Sequence, residues 1–253
     1  MRKKRNIIPV KSSGELKKLR TACSILKETL AVIQKMVKPG ITTANIDAVA
    51  ADFILSKGAY PAFKGYNGFP GNICVSINEE LIHGIPGTRE IRSGDIVSVD
   101  AGVKFKGMIG DAARTFTVGA VPQDVKGLVD SAKLAFEAAC SVIKANIKVG
   151  DISYAIQSEC EKNGYGVVRS YVGHGVGKSL HEPPEVPNFG KQGSGMTLPE
   201  NCSLAIEPMI TIGSERVKVL NDKWTVVTED GLPCAHYENT VLVTSAGCEV
   251  LTE

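Results

Sequence analysis

Ser93–Phe116, SGDIVSVDAGVKFKGMIGDAARTF, is the stretch whose reading decides the fold. Its first part alternates. Ile96, Ser98 and Asp100 share one face, and Val97, Val99 and Ala101 share the other, the period-2 pattern of a strand. A turn at Phe105-Lys106-Gly107 lies midway between Asp100 and Asp111, so the stretch reads as a β-hairpin with an acid on each arm. Centred there, the hairpin sets the two carboxylates opposite each other, roughly 4.5–5.5 Å apart at Cβ. Two bare carboxylates that close repel, and one would have to stay protonated; a metal ion removes the conflict. For the hairpin taken alone, the competing reading is a solvated polar face with two acids by chance.

The flanks carry the same arrangement twice. Residues 13–38 predict a helix capped by Ser13, and residues 43–57 a second one closed by Gly58. An irregular Gly- and aromatic-rich stretch (63–71), a strand (72–77) and the turn His83-Gly84-Ile85-Pro86-Gly87 lead into the hairpin. After it, helices are expected at 124–147 and 152–162. Gly40 pairs with Gly150 at an offset of 110; after a four-residue deletion, Ile46 pairs with Ile152 and Gly58 with Gly164 at 106. Val97-Ser98-Val99-Asp100 resembles Leu204-Ala205-Ile206-Glu207, and Gly110-Asp111-Ala112 is echoed by Tyr237-Glu238-Asn239. This argues for an internal duplication, with halves at about 13–120 and 121–253. If the halves pack about a pseudo-twofold axis, their four acids converge.

Composition bounds the rest. At 253 residues, 43% apolar and 22% charged, the chain is an ordinary globular length and mix. Its net charge of +2 gives no argument for DNA binding. The one basic cluster, Arg2-Lys3-Lys4-Arg5, reads as a solvated tail over residues 1–12, with transient ribosome contact as the sharper alternative. No apolar run approaches the ~18 residues of a membrane span. Seven cysteines without a CxxC pair suggest free thiols in a reducing compartment, so a cytoplasmic protein.

Histidines complete the pattern. His174 lies in Gly173-His174-Gly175-Val176-Gly177, His181 in Leu180-His181-Glu182-Pro183-Pro184 and His83 in the earlier turn. Four carboxylates and an imidazole do not suit a structural zinc site, which favours thiolates. They suit two divalent ions of the Mn, Fe, Co or Zn kind, bridged by carboxylates ~3.5–4 Å apart as a hydrolytic centre.

The motifs Leu81-Ile82-His83-Gly84-Ile85-Pro86, Val99-Asp100-Ala101-Gly102, Gly110-Asp111, Gly173-His174-Gly175-Val176-Gly177, Leu180-His181-Glu182-Pro183-Pro184, Ile206-Glu207-Pro208-Met209 and Tyr237-Glu238-Asn239-Thr240 resemble those of the type I methionine aminopeptidases, from about residue 13 to residue 252. The resemblance implies an α+β pita-bread fold, two related halves around a curved antiparallel sheet. It implies five metal ligands: Asp111 and Glu238 bridging both ions, Asp100 on one, His174 and Glu207 on the other. It makes Glu207 the proton carrier for the bridging water, His181 the hydrogen-bond partner of the scissile carbonyl, and His83 a contact of the amide nitrogen or the residue after the cut. Phe63, Tyr66, Phe69, Cys74 and Trp224 would receive the methionine side chain, a soft aromatic slot suited to a thioether. His236 is left without a role. No long insertion of the type II kind and no cysteine-rich extension stands in the chain, which points to the short bacterial or organellar form. The expected activity is removal of the initiator methionine from nascent chains with a small second residue, by a monomer with two divalent ions. A proline-directed pita-bread peptidase, a pita-bread protein that only binds a partner, and an α/β binding protein with incidental acids are the rivals.

Overall fold

In the computed structural model, which describes residues 7–253, two pairs of helices back a set of antiparallel strands. The basic cluster at Arg2–Arg5 lies outside the described residues. Helices α1 (Ser13–Met36) and α2 (Thr43–Ser56) bury Leu26, Leu30, Ile33, Ile46 and Ile54 against Val75, Val97, Val99 and Val103 of the first-half strands. Helices α3 (Gln123–Val142) and α4 (Val149–Lys162) bury Leu128, Phe136, Ile152 and Ile156 against Leu204, Ile206, Ile210 and Val241. The cap of α1 is Ser12 rather than Ser13, because Glu15 stands three residues on and closes a capping box.

The hairpin forms, with strands Ile96–Phe105 and Met108–Thr117, but its turn is one residue shorter than expected. Phe105 pairs with Met108, leaving Lys106-Gly107 as a two-residue turn, both at positive φ (46° and 84°). The register moves accordingly. Asp111 faces Gly102 and Asp100 faces Ala113, so the two acids are diagonal neighbours on one face rather than opposite each other.

The two helix pairs share one offset from the ends of their first helices onward, although α1 and α3 begin 110 residues apart, at Ser13 and Gln123. Met36 and Val142 end α1 and α3; the caps Thr42 and Lys148 precede α2 and α4; Ser56 and Lys162 end them. Each pair lies 106 residues apart. The predicted extension of α3 to 147 is therefore wrong, and so is the place of the four-residue deletion, which falls within the first helices: α3 has 20 residues against 24 in α1. Residues 143–147 leave the helix because their backbone pairs elsewhere: Ala145 donates to the Thr244 carbonyl, and Asn146 to that of Leu198. The true counterpart of Gly40 is Asn146, not Gly150. Gly40 sits at φ 86° and Asn146 at φ 71°, and each donates to the carbonyl of the residue that follows an equivalent isolated β-bridge: Ile91 after Thr42–Glu90, and Leu198 after Lys148–Thr197. Asn tolerates the left-handed region better than other non-glycine residues, so the motif survived a change of residue that hid it.

Two further differences concern chain ends and strands. Residues 7–12 do not trail away as a tail: Ile8 joins the second-half core and Lys11 is buried. In the second half, the counterparts of the hairpin arms are each broken in two, as Ser203–Ile206 with Met209–Thr211 and Cys234–His236 with Asn239–Val243. The halves join along the centre. Ala113 and Glu238 exchange backbone hydrogen bonds (3.0 and 3.2 Å), and the Thr240 hydroxyl both accepts from the Asp111 amide (2.9 Å) and donates to its carbonyl (2.8 Å).

Candidate active site

The breaks in the second-half strands fall at the acids. The flanking pairs Ile206↔Asn239 and Met209↔His236 leave Glu207 and Glu238 across the gap from each other. Asp100 and Asp111 project from the unbroken hairpin, and the central seam at Ala113–Glu238 brings the two pairs of carboxylates together. Arg114 secures that seam from behind, donating to the Glu238 carbonyl (2.6 Å) and the Asn239 side chain (2.7 Å).

His174 completes the cluster from the strand Val172–Gly175, which lies between two others. Glycine flanks it because a Cβ at Gly173 would lie 2.5 Å from the Ala205 carbonyl oxygen, and one at Gly175 2.3 Å from that of Pro183. The glycines thus answer close backbone approach, not flexibility alone. His174 Nδ1 lies 3.0 Å from the Gly175 carbonyl, to which its N–H donates, leaving Nε2 as a lone-pair donor. That Nε2 is 3.5 Å from Glu207 Oε1 and 3.9 Å from Asp111 Oδ2. Asp111, His174 and Glu238 each offer a ligand atom, all within 4.8 Å of one another.

The electrostatics of this cluster demand a cation. Asp100 Oδ1, Asp111 Oδ1 and Glu238 Oε1 are buried without a hydrogen-bond partner. Burial pushes the Asp100 carboxyl up to about 7, with Glu207 adding to it and His236 opposing. Burial, then the neighbouring carboxylates, hold Asp111 and Glu238 well above the ordinary range, and burial does the same to Glu207. His174 is pushed down to about 3, chiefly by burial and also by His181, so it stands neutral and ready to ligate. Orphaned carboxylate oxygens with one neutral imidazole fit a divalent ion of the Mn, Fe, Co or Zn kind; no cysteine joins the set, as a structural zinc site would require.

Above the acids opens a cavity of about 210 Å³. It is lined by every residue the sequence singled out: the ligand candidates Asp100, Asp111, His174, Glu207 and Glu238, the histidines His83 and His181, and Phe63, Tyr66, Phe69, Cys74 and Trp224, with Cys74 the cross-strand partner of Asp100. Phe69 and Trp224 meet edge to face at 5.1 Å between ring centres. Trp224 arrives on a hairpin, Val217–Val219 with Val226–Thr228, that pairs with the first-half strand Glu80–Ile82. Cys74 stays a neutral thiol, since burial and the nearby acids, Asp100 first, push it well above its ordinary value.

His83 holds a left-handed backbone (φ 59°), a strained conformation for a residue with a side chain. The following Gly84 is pinned to the strand below it, its amide donating to Ser76 Oγ (3.1 Å) and its carbonyl accepting from the Val75 amide (3.0 Å). Burial, then His236 and His181, push His83 down to about 4, so it is neutral across the physiological range.

Several lining residues escaped sequence reasoning. Tyr66 is more than pocket wall: its hydroxyl lies 2.7 Å from His181 Nδ1. Tyr171 lines the cavity with its ring edge-on to His83 at 5.9 Å. His236, left without a role, is buried with its Nε2 3.5 Å from Glu207 Oε2 and 3.8 Å from Glu238 Oε2. Its place two residues before Glu238, on the same strand face, was the one available signal.

The model of Metallopeptidase family M24 matches residues 17–245. Methionine aminopeptidase from Clostridium acetobutylicum is 48% identical over 247 residues, covering 97% of this chain and 99% of that one. The crystal structure of methionine aminopeptidase from Thermotoga maritima superposes with a TM-score of 0.96 at 42% identity, over 98% of this chain and 100% of that one. Xaa-Pro dipeptidase from Bacillus anthracis, at 23% identity and a TM-score of 0.78, shares the fold but is matched over only 62% of its length. With its cluster of acids at the seam of a duplicated pita-bread fold, the chain belongs to metallopeptidase family M24, in the type I methionine aminopeptidase branch.

Proposed function

We propose that the chain removes the N-terminal methionine from nascent chains and peptides whose second residue is small, using two divalent ions. The observation that carries the reading is one cavity lined by four acids, a neutral imidazole, aromatic rings and a buried thiol. Asp100, Asp111, His174, Glu207 and Glu238 would hold the ions. When bound, the ions supply Lewis-acid polarisation of the carbonyl and water acidified toward neutral pH.

The remaining steps belong to the chain's own residues. Phe63, Tyr66, Phe69, Cys74 and Trp224 take the methionine side chain, each sulfur–ring contact adding ~0.3–1.5 kcal/mol. Glu207 takes the proton of the attacking water and delivers it to the leaving amine, a general acid–base role. His181 donates to the carbonyl oxygen as charge develops there. A Tyr66 hydroxyl donating to His181 Nδ1 leaves the ring proton on Nε2, the tautomer this task requires. His83, neutral and held beside Trp224 (6.4 Å between ring centres), meets the amide nitrogen or the second residue.

No described helix is long and apolar enough to cross a membrane. All seven cysteines are free, which supports a reducing, cytoplasmic setting. Ribosome contact through Arg2–Arg5 rests on the sequence alone.

The test offers metal-loaded protein Met-Ala-Ser, Leu-Ala-Ser and Xaa-Pro peptides, beside a Glu207→Ala control. Release of methionine alone, absent in the control, is expected. Preferred cleavage of Xaa-Pro peptides would replace this reading with that of a proline-directed peptidase, and no cleavage by folded, metal-loaded protein would leave a binding protein.

A further inference from the structure

Lys11 lies before the residues matched by the family model, in the segment the sequence reads as a tail, yet only 6% of its surface is exposed. Its Nζ lies 2.7 Å from Glu182 Oε2, with both side chains buried, and also donates to the Pro9 carbonyl (3.3 Å). Its backbone amide donates to the Asn201 carbonyl (2.9 Å), which anchors the segment to the second half. The lysine stem crosses Gly177 so closely that a methyl there would meet Cε at 2.6 Å.

The partner is placed to matter. Glu182 follows His181 directly. Its other oxygen, Oε1, accepts from the Lys178 and Ser179 amides (2.7 and 3.1 Å). One carboxylate thus ties both ends of the 178–182 loop to each other and, through Lys11, to a chain segment outside it. The same loop carries Leu180, packed in the methionine slot with Phe63 and Phe69, and His181, hydrogen-bonded to Tyr66. A buried carboxylate with one oxygen unpaired is costly, so without Lys11 the loop would turn Glu182 toward water and take His181 with it.

We infer that Lys11 is a positioning residue: through Glu182 it holds the His181 loop in its catalytic place. The inference rests on the methionine aminopeptidase reading. If it holds, Lys11→Met lowers kcat on Met-Ala-Ser roughly 10- to 100-fold, the scale of a misplacement of about 1 Å. KM changes less than about threefold, since the loop's contribution is to the developing charge rather than to the ground state.

The discriminating measurement is a double-mutant cycle on the metal-loaded protein, with the folded fraction checked by thermal melting. Lys11→Met is made in the wild type and in His181→Ala. Loss of kcat in the wild type with little further loss in His181→Ala is the expected result. An equal loss in both backgrounds would make Lys11 a general structural residue, and no loss in either would remove it from catalysis; both outcomes overturn the inference. Should Lys11→Met not fold, Glu182→Gln keeps an acceptor for the loop amides, removes the charge facing Lys11, and decides the matter by the same cycle. A wild type that does not release methionine would sink the underlying activity instead, and is read separately.

Discussion

The two halves build the same layout with different chemistry. The first half carries aspartates on a hairpin of two unbroken ten-residue strands, diagonal to each other. The second carries glutamates where both strands are interrupted, directly across the gap, with His236 buried between them. Short acids on a regular ladder are fixed by the ladder itself. Longer acids at a break have reach and a free backbone, and need outside support from His236, Arg114 and the Asn188 side chain, which donates to the Glu207 carbonyl (3.0 Å). Duplication thus supplied two similar frames. On the proposed mechanism, the half with the breaks would contribute the residue that moves the proton, and the half without them ligands fixed by the ladder.

The largest expected effect comes from the acids on the central seam. Asp111→Asn and Glu238→Gln should each lower metal-dependent methionine release by ~10²–10³-fold or more and abolish the rise in melting temperature on adding Mn²⁺. Equal damage from the two would mean that the halves contribute alike; a milder loss from either would show which half dominates. A smaller effect is expected in the slot. Trp224→Ala should raise KM for Met-Ala-Ser about tenfold, the scale of a lost aromatic contact surface, with kcat nearly kept. Steady-state kinetics with both parameters resolved checks this.

The pH dependence of stability separates the acids from the rest of the fold. Without metal, the folded-state pKa values of Asp100, Asp111, Glu207 and Glu238 are raised above those of the unfolded chain. Such groups contribute stability that is fully present below the ordinary carboxylate range and lost as pH rises through the folded values, about 7 for Asp100. Chelated protein should therefore lose melting temperature between about pH 4 and pH 8. Added metal should restore most at the high end, by about 2.7 kcal/mol when the ion stands at 100 times its Kd. Asp111→Asn should flatten the slope. Thermal melts across that range, with and without chelator, measure it.

The smallest effect tests the repeat itself. Gly40→Ala and Asn146→Ala both place a β-carbon at left-handed φ, and each should cost ~1–2 kcal/mol. Asn146→Gly should be tolerated, within about 1 kcal/mol of the parent. Denaturant unfolding of the three variants gives the comparison.

Much of this was legible in the chain because the signals were local. Alternation at Ile96–Ala101, the paired acids, the histidines among glycines and the motif order all sit within short windows. The hairpin register was misjudged because its centre decides it: an axis between Phe105 and Lys106, rather than between Lys106 and Gly107, moved the partner of Asp111 by two positions, from Gly102 to Asp100. The repeat was misaligned because Asn146 takes a conformation usually marked by glycine. Tyr66 with His181, Lys11 with Glu182 and His236 with Glu207 are long-range meetings, and only the nearness of His236 to Glu238 in sequence hints at any of them.

The central claim is that acids from both halves jointly hold divalent ions that methionine release requires. It is tested most directly by titrating Mn²⁺ or Co²⁺ into metal-stripped protein in a calorimeter and assaying Met-Ala-Ser hydrolysis at each step. Binding and methionine release should rise together from zero, and both should vanish in Asp111→Asn. Release by the stripped protein that does not change on titration, or tight binding that leaves release at zero, would contradict the account.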